Sequence, residues 1–168
     1  RGGHTVIATM RNLESAGELQ KIVAAEKLPV SLAALNVDDD ASVESGLGNV
    51  LAEHGRLDVL VNNAGIGGGG SVEESSTARF REVMETNFFG ALRCIKAVVP
   101  GMRERRHGCI VNVTSIAGGR LHPFAGAAYS TSKAALAALT REMAADFGPH
   151  GVRVNSIAPG FFPTALSG

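Results

Sequence analysis

The sequence predicts an α/β fold in which helices cover both faces of a doubly wound parallel sheet. Short apolar runs rich in β-branched residues alternate with segments whose apolar residues recur at helical spacing. These strand-like runs are largely apolar, and their alternation with helices is typical of a parallel sheet covered on both faces. No internal repeat or linker interrupts the alternation, so we expect a single domain over residues 1–168.

Five strands are predicted along the chain. They are HTVIAT at 4–9, PVSLAAL at 29–35, LDVLVNN at 57–63, CIVNVT at 109–114 and VRVNSI at 152–157. Helical patterns fall between them, at about 16–23, 43–51, 78–102 and 129–147. The acidic run Asp38-Asp39-Asp40 precedes the second helix, where carboxylates suit a helix N-terminus. Ligands bind such sheets at the carboxyl ends of the strands, so the candidate site lies just after them.

Charge and composition exclude several classes of function. The chain has 16 Lys and Arg against 16 Asp and Glu, which gives no electrostatic reason to expect nucleic acid or an anionic membrane as a partner. With 45% hydrophobic residues it is not a disordered tail. No apolar run approaches the roughly 20 residues that span a bilayer. There is a single tyrosine and no tryptophan, so any aromatic hydroxyl chemistry depends on Tyr129.

The two cysteines, Cys94 and Cys109, lack the spacing of a zinc site or of a redox pair. We interpret them as small buried hydrophobic residues rather than as a disulfide. That interpretation favours a reducing compartment and a cytoplasmic protein, and no metal site is expected.

A glycine-rich run at 65–70 matches the dinucleotide-binding pattern G-x-G-x-x-G. That pattern also needs a helix at its last glycine and an acidic residue at the end of the next strand. Here Glu85, at the right distance, falls inside a helical pattern. We therefore predict a loop in which the lack of side chains lets a ligand approach the backbone.

The candidate catalytic pair is Tyr129 and Lys133, in the run YSTSK. Residues four apart lie on one face of a helix, so the ammonium could favour the phenolate and suit the pair to proton exchange with an alcohol or carbonyl oxygen. The alternative is a surface pair on a helix.

Ser115 follows the strand 109–114, where its hydroxyl could stabilise charge on the same oxygen. Asn62-Asn63-Ala64-Gly65 ends the preceding strand, where the alternative is an Asn-rich turn.

These residues give the chain a resemblance to the short-chain dehydrogenase/reductase family of NAD(P)-dependent oxidoreductases, which have a Rossmann-like three-layer α/β/α fold. The motifs occur in the family's order: Asn62-Asn63-Ala64-Gly65, Asn87, Ser115, Tyr129 with Lys133, and Pro159-Gly160 followed by Thr164. Each motif alone is common, and the ordered set spans residues 62–164.

The resemblance implies a role for each of these residues. Tyr129 would be the general acid/base, Lys133 would favour its phenolate and hold the nicotinamide ribose, and Ser115 would polarise the substrate carbonyl. Asn87 would anchor a water that links Lys133 to solvent. The other implied contacts are Asn63, Ala64 and Gly65 beside the adenosine ribose, Ile157, Pro159, Gly160 and Thr164 beside the nicotinamide, and Leu121, His122, Pro123 and Phe124 in the substrate pocket.

The resemblance also implies a cofactor, a substrate class and an assembly. Met10 occupies the strand-end position where an acid would favour NAD, and the adjacent Arg11 could pair with the 2′-phosphate of NADP. We therefore expect NADP(H), with NAD(H) possible if Arg11 is only a solvated surface charge. Asn36 and Val37 would lie beside the adenine. A small-molecule alcohol or ketone is the expected substrate, and a homodimer or homotetramer the expected assembly.

The chain departs from the family at both ends. The segment Thr-Gly-x-x-x-Gly-x-Gly, whose strand would lie between those at 4–9 and 57–63, is absent, as is the family's last strand. Without that first strand the others should fall into two unpaired groups. We therefore expect these residues to be an excerpt of a longer single-domain chain.

Overall fold

A computed structural model describes residues 3–160, which form a Rossmann-like three-layer α/β/α fold with parallel strands. The strands are β1 (Val6–Met10), β2 (Val30–Ala34), β3 (Val59–Asn62), β4 (Gly108–Val113) and β5 (Val152–Ile157). The α-helices are α1 (Gly17–Glu26), α2 (Asp40–His54), α3 (Thr77–Met84), α4 (Gly90–Glu104) and α5 (Ala127–Phe147). The predicted fold class is confirmed, and each predicted strand is present with its bounds shifted by at most two residues.

Within the described residues the strands pair in two groups, β1 with β2 and β3-β4-β5 in that order. The expected division of the strands is confirmed. Val59 and Val61 of β3 are 47% and 56% exposed, because β3 pairs with β4 along one side only.

The helical segment predicted at 78–102 is continuous but not uniform. A π-helical turn, Glu85–Phe89, joins α3 to α4 and buries Asn87 completely. Such turns are rare and often occur at functional sites. The predicted helical segment is confirmed, but its spacing of apolar residues did not indicate the π-helical turn, in which the side chain of Asn87 hydrogen-bonds to Ile66.

The main core lies between β3-β4-β5 and helices α2, α4 and α5. Its fully or nearly buried members are Leu35, Val43, Leu47, Leu60, Cys94, Ile95, Val98, Met102, Ile110, Met143, Val152 and Val154.

Both cysteines are free: Cys94 is buried in this core and Cys109 is half-buried. Burial raises the pKa of the Cys94 thiol to about 11, so this thiol is protonated and packs as a small apolar group. No helix in residues 3–160 has the length and hydrophobicity to cross a bilayer.

A chain of buried polar side chains crosses the core beneath the site. Asn62 Nδ2 donates to Asn112 Oδ1 at 2.9 Å, and Asn112 Nδ2 donates to Thr140 Oγ1 at 2.9 Å. Thr140 Oγ1 in turn donates to the carbonyl of Leu136 at 2.7 Å. This series of hydrogen-bonded side chains links β3, β4 and α5, the three elements that position the candidate catalytic residues.

Replacing Asn112 with Leu is expected to lower the free energy of unfolding by about 2 kcal/mol, because Asn62 and Thr140 would lose buried hydrogen-bond partners. Urea unfolding of the full chain measures this effect. The matched control is Asn155→Leu on the exposed side of β5, which should change stability by less than about 0.5 kcal/mol. An Asn112→Leu protein as stable as the control would contradict the structural role of these buried hydrogen bonds.

Candidate active site

Tyr129 and Lys133 lie on the first two turns of α5, with Lys133 Nζ 5.6 Å from the centroid of the Tyr129 ring. The Lys133 side chain is buried, and its Nζ donates to the carbonyl of Val113 at 2.7 Å. Burial lowers the pKa of this ammonium, since few groups replace its hydration. The prediction that both residues share one helix face is confirmed, and the alternative of a surface pair is wrong for Lys133.

Ser115 lies two residues after Val113, at the end of β4, and begins a short 3-10 turn, Ile116–Gly118. Its Oγ accepts a hydrogen bond from the Ala117 amide at 3.1 Å. Within residues 3–160 neither the Ser115 hydroxyl hydrogen nor the Tyr129 hydroxyl has a hydrogen-bond partner. Both groups can therefore hydrogen-bond a bound oxygen atom.

Gly118 allows the turn after Ser115 to pack directly on α5. A Cβ at this position would lie 2.8 Å from the carbonyl carbon of Lys133 and 2.8 Å from the amide nitrogen of Ala134. These are backbone atoms of a helix and cannot move aside. The absence of a side chain at Gly118 thus sets the distance between Ser115 and the helix that carries Tyr129 and Lys133.

Replacing Gly118 with Ala is expected to lower kcat/KM at least tenfold, because the added methyl would push the Ser115 turn away from α5. Steady-state kinetics measure the change. Gly119→Ala is the matched control, since its Cβ would make only an ordinary contact, 3.8 Å from the carbonyl oxygen of Ile116. Equal effects of the two substitutions would contradict this interpretation.

Asn87 joins the loop after β3 to α5. Its Oδ1 accepts from the Ile66 amide at 2.8 Å, and its Nδ2 donates to the Ile66 carbonyl and to Ser132 Oγ, both at 3.0 Å. Ser132 Oγ donates to the carbonyl of Tyr129 at 2.7 Å. The side chain of Asn87 thus positions the loop and the catalytic helix, and the bridging water implied by the resemblance stays a prediction. Sequence reasoning missed Ser132, although it lies within the run YSTSK.

The glycine-rich run at 65–70 forms a loop, and no helix begins at its last glycine, because α3 starts only at Thr77. The predicted loop is confirmed. The loop also packs closely on the start of α5. A Cβ at Gly68 would lie 3.2 Å from the Tyr129 amide nitrogen, and a Cβ at Gly126, the residue before α5, would lie only 1.6 Å from the Gly68 carbonyl oxygen. Gly126 also has a φ of +74°, which disfavours other residues. The loop therefore supports the N-terminus of α5.

A cleft of about 150 Å³ opens beside this loop, at the carboxyl ends of β1 and β2. It is lined by Thr9, Met10, Arg11, Leu35, Val37, Asp38, Ala64, Gly65, Ile66 and Thr86. Four predicted cofactor residues, Arg11, Val37, Ala64 and Gly65, are among them. Asp38 also lines the cleft, 3.8 Å from the Arg11 guanidinium, and was not predicted as a site residue. Its position next to Val37 in the sequence could have indicated it.

The other two adenosine-side residues lie next to the cleft rather than in its wall. Asn36 is in a turn, where its Oδ1 accepts from the Asp38 amide at 3.3 Å. Asn63 is exposed at the end of β3.

The segment after β5 lies against the Ser115 turn. The Pro159 carbonyl accepts from the Ile116 amide at 3.1 Å, and a Cβ at Gly160 would be 3.7 Å from Ile116 Cδ1. Ile157 is about half exposed. Thr164 lies outside the described residues.

The predicted substrate-pocket residues lie between Ser115 and Tyr129 in an exposed segment. Leu121 and Phe124 are 97% and 85% exposed, and the rings of His122 and Phe124 meet edge to face with centroids 6.1 Å apart. The segment that joins Ser115 to Tyr129 therefore exposes two apolar side chains to solvent.

Comparisons with known proteins agree with this geometry. The sequence model of the family described as short chain dehydrogenase matches residues 1–168. The chain is 35% identical over 166 residues to a 3-ketodihydrosphingosine reductase of Bacteroides thetaiotaomicron, covering 98% of this chain and 57% of that protein. It is 35% identical over 167 residues to a gluconate 5-dehydrogenase of Gluconobacter oxydans, covering 99% and 65%.

Among solved structures, a gluconate 5-dehydrogenase from Burkholderia cenocepacia in complex with NADP and tartrate superposes with a TM-score of 0.89 at 31% identity. The match covers 98% of this chain and 64% of that one. The chain thus spans less than two thirds of the length of each of these three relatives.

Proposed function

The chain belongs to the short-chain dehydrogenase family, and on this premise we propose that it interconverts a secondary alcohol and a ketone with NADP(H), using Tyr129 as the general acid/base. One observation carries the proposal. The Lys133 ammonium lies 5.6 Å from the Tyr129 ring and 2.7 Å from the Val113 carbonyl, at the end of the strand that leads into Ser115. An acid, a cation and a hydroxyl donor therefore lie at one edge of the sheet.

The proposed roles of these groups follow from their charges and free hydrogen-bonding capacity. In reduction, Tyr129 donates its hydroxyl proton to the carbonyl oxygen, and the positive charge of Lys133 stabilises the phenolate that remains. Ser115 donates a hydrogen bond to the same oxygen as negative charge develops there. In oxidation the phenolate accepts the alcohol proton. The nicotinamide, when bound, supplies or accepts the hydride.

The cleft beside β1 suits the adenosine end of this cofactor. Ala64 and Gly65 bring backbone rather than side chains to its wall, and a Cβ at Gly65 would lie 3.4 Å from Lys133 Nζ, in the space between the cleft and the catalytic lysine. The residues that we assign to the cofactor are Arg11, Asn36, Val37, Asn63, Ala64, Gly65, Tyr129, Lys133, Pro159, Gly160 and Thr164. Those that we assign to the substrate are Ser115, Leu121 and Tyr129.

Arg11 favours NADP(H) over NAD(H). The Arg11 side chain is 65% exposed in the wall of the cleft, where its guanidinium can pair with a 2′-phosphate, and Met10 places no carboxylate beside it. The solved gluconate 5-dehydrogenase that resembles this chain is a complex with NADP. An NAD-dependent alcohol or sugar dehydrogenase is the second candidate, since Asp38 lies in the same wall.

A protein that senses NADP without turnover is the candidate from another class. Such proteins usually lose either the Tyr/Lys pair or the Ser, whereas this chain keeps Ser115, Tyr129 and Lys133. We also propose that these residues are part of a longer single-domain protein that forms a dimer or tetramer. The free thiols of Cys94 and Cys109 favour a reducing, cytoplasmic setting.

The experiment that tests this function is a screen of the full chain for oxidation of NADPH and NADH against a panel of ketones. We expect turnover with at least one ketone and a higher kcat/KM for NADPH. Cofactor binding without turnover of any ketone, and without oxidation of the matching alcohols, would favour the sensor. Turnover with NADH alone would favour the second candidate.

A further inference from the structure

The acidic run at the start of α2 places three consecutive carboxylates in different surroundings. Asp39 Oδ1 accepts from the Ser42 amide at 2.7 Å and caps the helix. Asp40 pairs with Arg93 of α4. Asp38 is the one of the three that lines the cleft. Its charge therefore belongs to the candidate cofactor site, while the other two stabilise the fold.

The Asp38 carboxylate faces the cleft with unused hydrogen-bonding capacity. Its Oδ2 is 3.8 Å from Arg11 Nη1, and its Oδ1 is buried without a hydrogen-bond partner anywhere in residues 3–160. A buried carboxylate oxygen without a partner is costly and accepts a hydrogen bond readily when a donor is offered.

Helix α4 holds the loop that carries Asp38 through two contacts with Val37. The carbonyl of Val37, the preceding residue, accepts from Arg93 Nη1 at 3.2 Å. A Cβ at Gly90 would lie 2.8 Å from Val37 Cγ2. Helix α4 therefore approaches this loop so closely that only glycine fits at position 90 without a shift. These contacts hold in place the backbone that leads into Asp38.

We infer that Asp38 sets the balance between the two nicotinamide cofactors by weakening the preference for NADP(H) that Arg11 supplies. A phosphate that pairs with Arg11 has to share that guanidinium with the Asp38 carboxylate, and the two anions repel each other. A ribose hydroxyl in the cleft, in contrast, can donate to the Asp38 carboxylate, whose side chain is 26% exposed. This inference rests on the proposed function and refines its cofactor assignment.

Direct binding tests this role without depending on catalysis. Dissociation constants for NADPH and NADH are measured from the change in cofactor fluorescence, for the full chain, Asp38→Asn and Asp39→Asn. Asp38→Asn is expected to bind NADPH about fivefold more tightly at low salt, with an effect that shrinks at about 0.5 M salt. Its affinity for NADH should stay the same or fall.

Asp39→Asn removes the same charge one residue away and keeps the cap, because Asn caps helices as well as Asp does. Its ratio of NADPH to NADH affinity should match that of the unchanged protein. Equal ratios in Asp38→Asn and Asp39→Asn would overturn the inference and leave the proposed function intact. A full chain that binds neither cofactor would overturn both.

Discussion

Replacing Tyr129 with Phe is expected to lower kcat about a thousandfold while the affinity for NADPH changes less than about twofold. The substitution removes one oxygen atom and keeps the ring that lies 5.6 Å from Lys133 Nζ, so packing at the start of α5 is retained. The loss falls on kcat because the proton donor acts on the reacting oxygen. Steady-state kinetics with the best ketone, together with a binding titration, measure both quantities.

The composition of the chain makes this substitution unusually informative. Tyr129 is the single tyrosine among residues 1–168, so no other residue of this sequence can supply a phenol. An unchanged melting temperature is the control for folding. A Tyr129→Phe protein that keeps a tenth or more of the original kcat would show that the proton comes from another group.

Replacing Lys133 with Met is expected to lower kcat/KM by about two orders of magnitude or more. Met keeps an unbranched stem of similar size in the buried site, but it lacks the charge that stabilises the phenolate and the donor that binds the Val113 carbonyl at 2.7 Å. The affinity for NADPH should fall as well, since we assign Lys133 to the nicotinamide ribose. Kinetics and cofactor titration measure the two effects.

Lys96→Met on α4 is the matched control, because the Lys96 side chain is exposed and lies on another helix. It should leave kcat/KM within about twofold of the original value. If Lys133→Met behaves like Lys96→Met, the buried ammonium is structural and the proposed mechanism is wrong.

The parts of the fold that could be predicted from sequence are those that depend on local patterns. Each of the five strands is a short segment rich in apolar and β-branched residues, and all five are present in the structure. Tyr129 and Lys133 are four residues apart, so they share a helix face independently of tertiary packing. The division of the strands into two groups was predicted from the family resemblance, because the strand that would lie between those at 4–9 and 57–63 is absent from this sequence.

The contacts that position the site could not be predicted, because they join segments far apart in sequence. The bond from Lys133 to Val113 spans 20 residues, and the pairing of Asn87 with Ile66 spans 21. The need for glycine at Gly118 becomes apparent only when α5 is placed against it. Asp38 was read as part of a helix N-terminus, and its position opposite Arg11 depends on the pairing of β1 with β2.

The central claim is that the cofactor and Tyr129 act together to reduce a carbonyl group. Reduction of a ketone with NADPH that carries deuterium at the transferable position of its nicotinamide ring tests this claim most directly. Mass spectrometry of the alcohol should find one deuterium on the carbinol carbon and a solvent proton on its oxygen. An alcohol without deuterium at that carbon, formed at the same rate, would contradict direct hydride transfer and with it the proposed function.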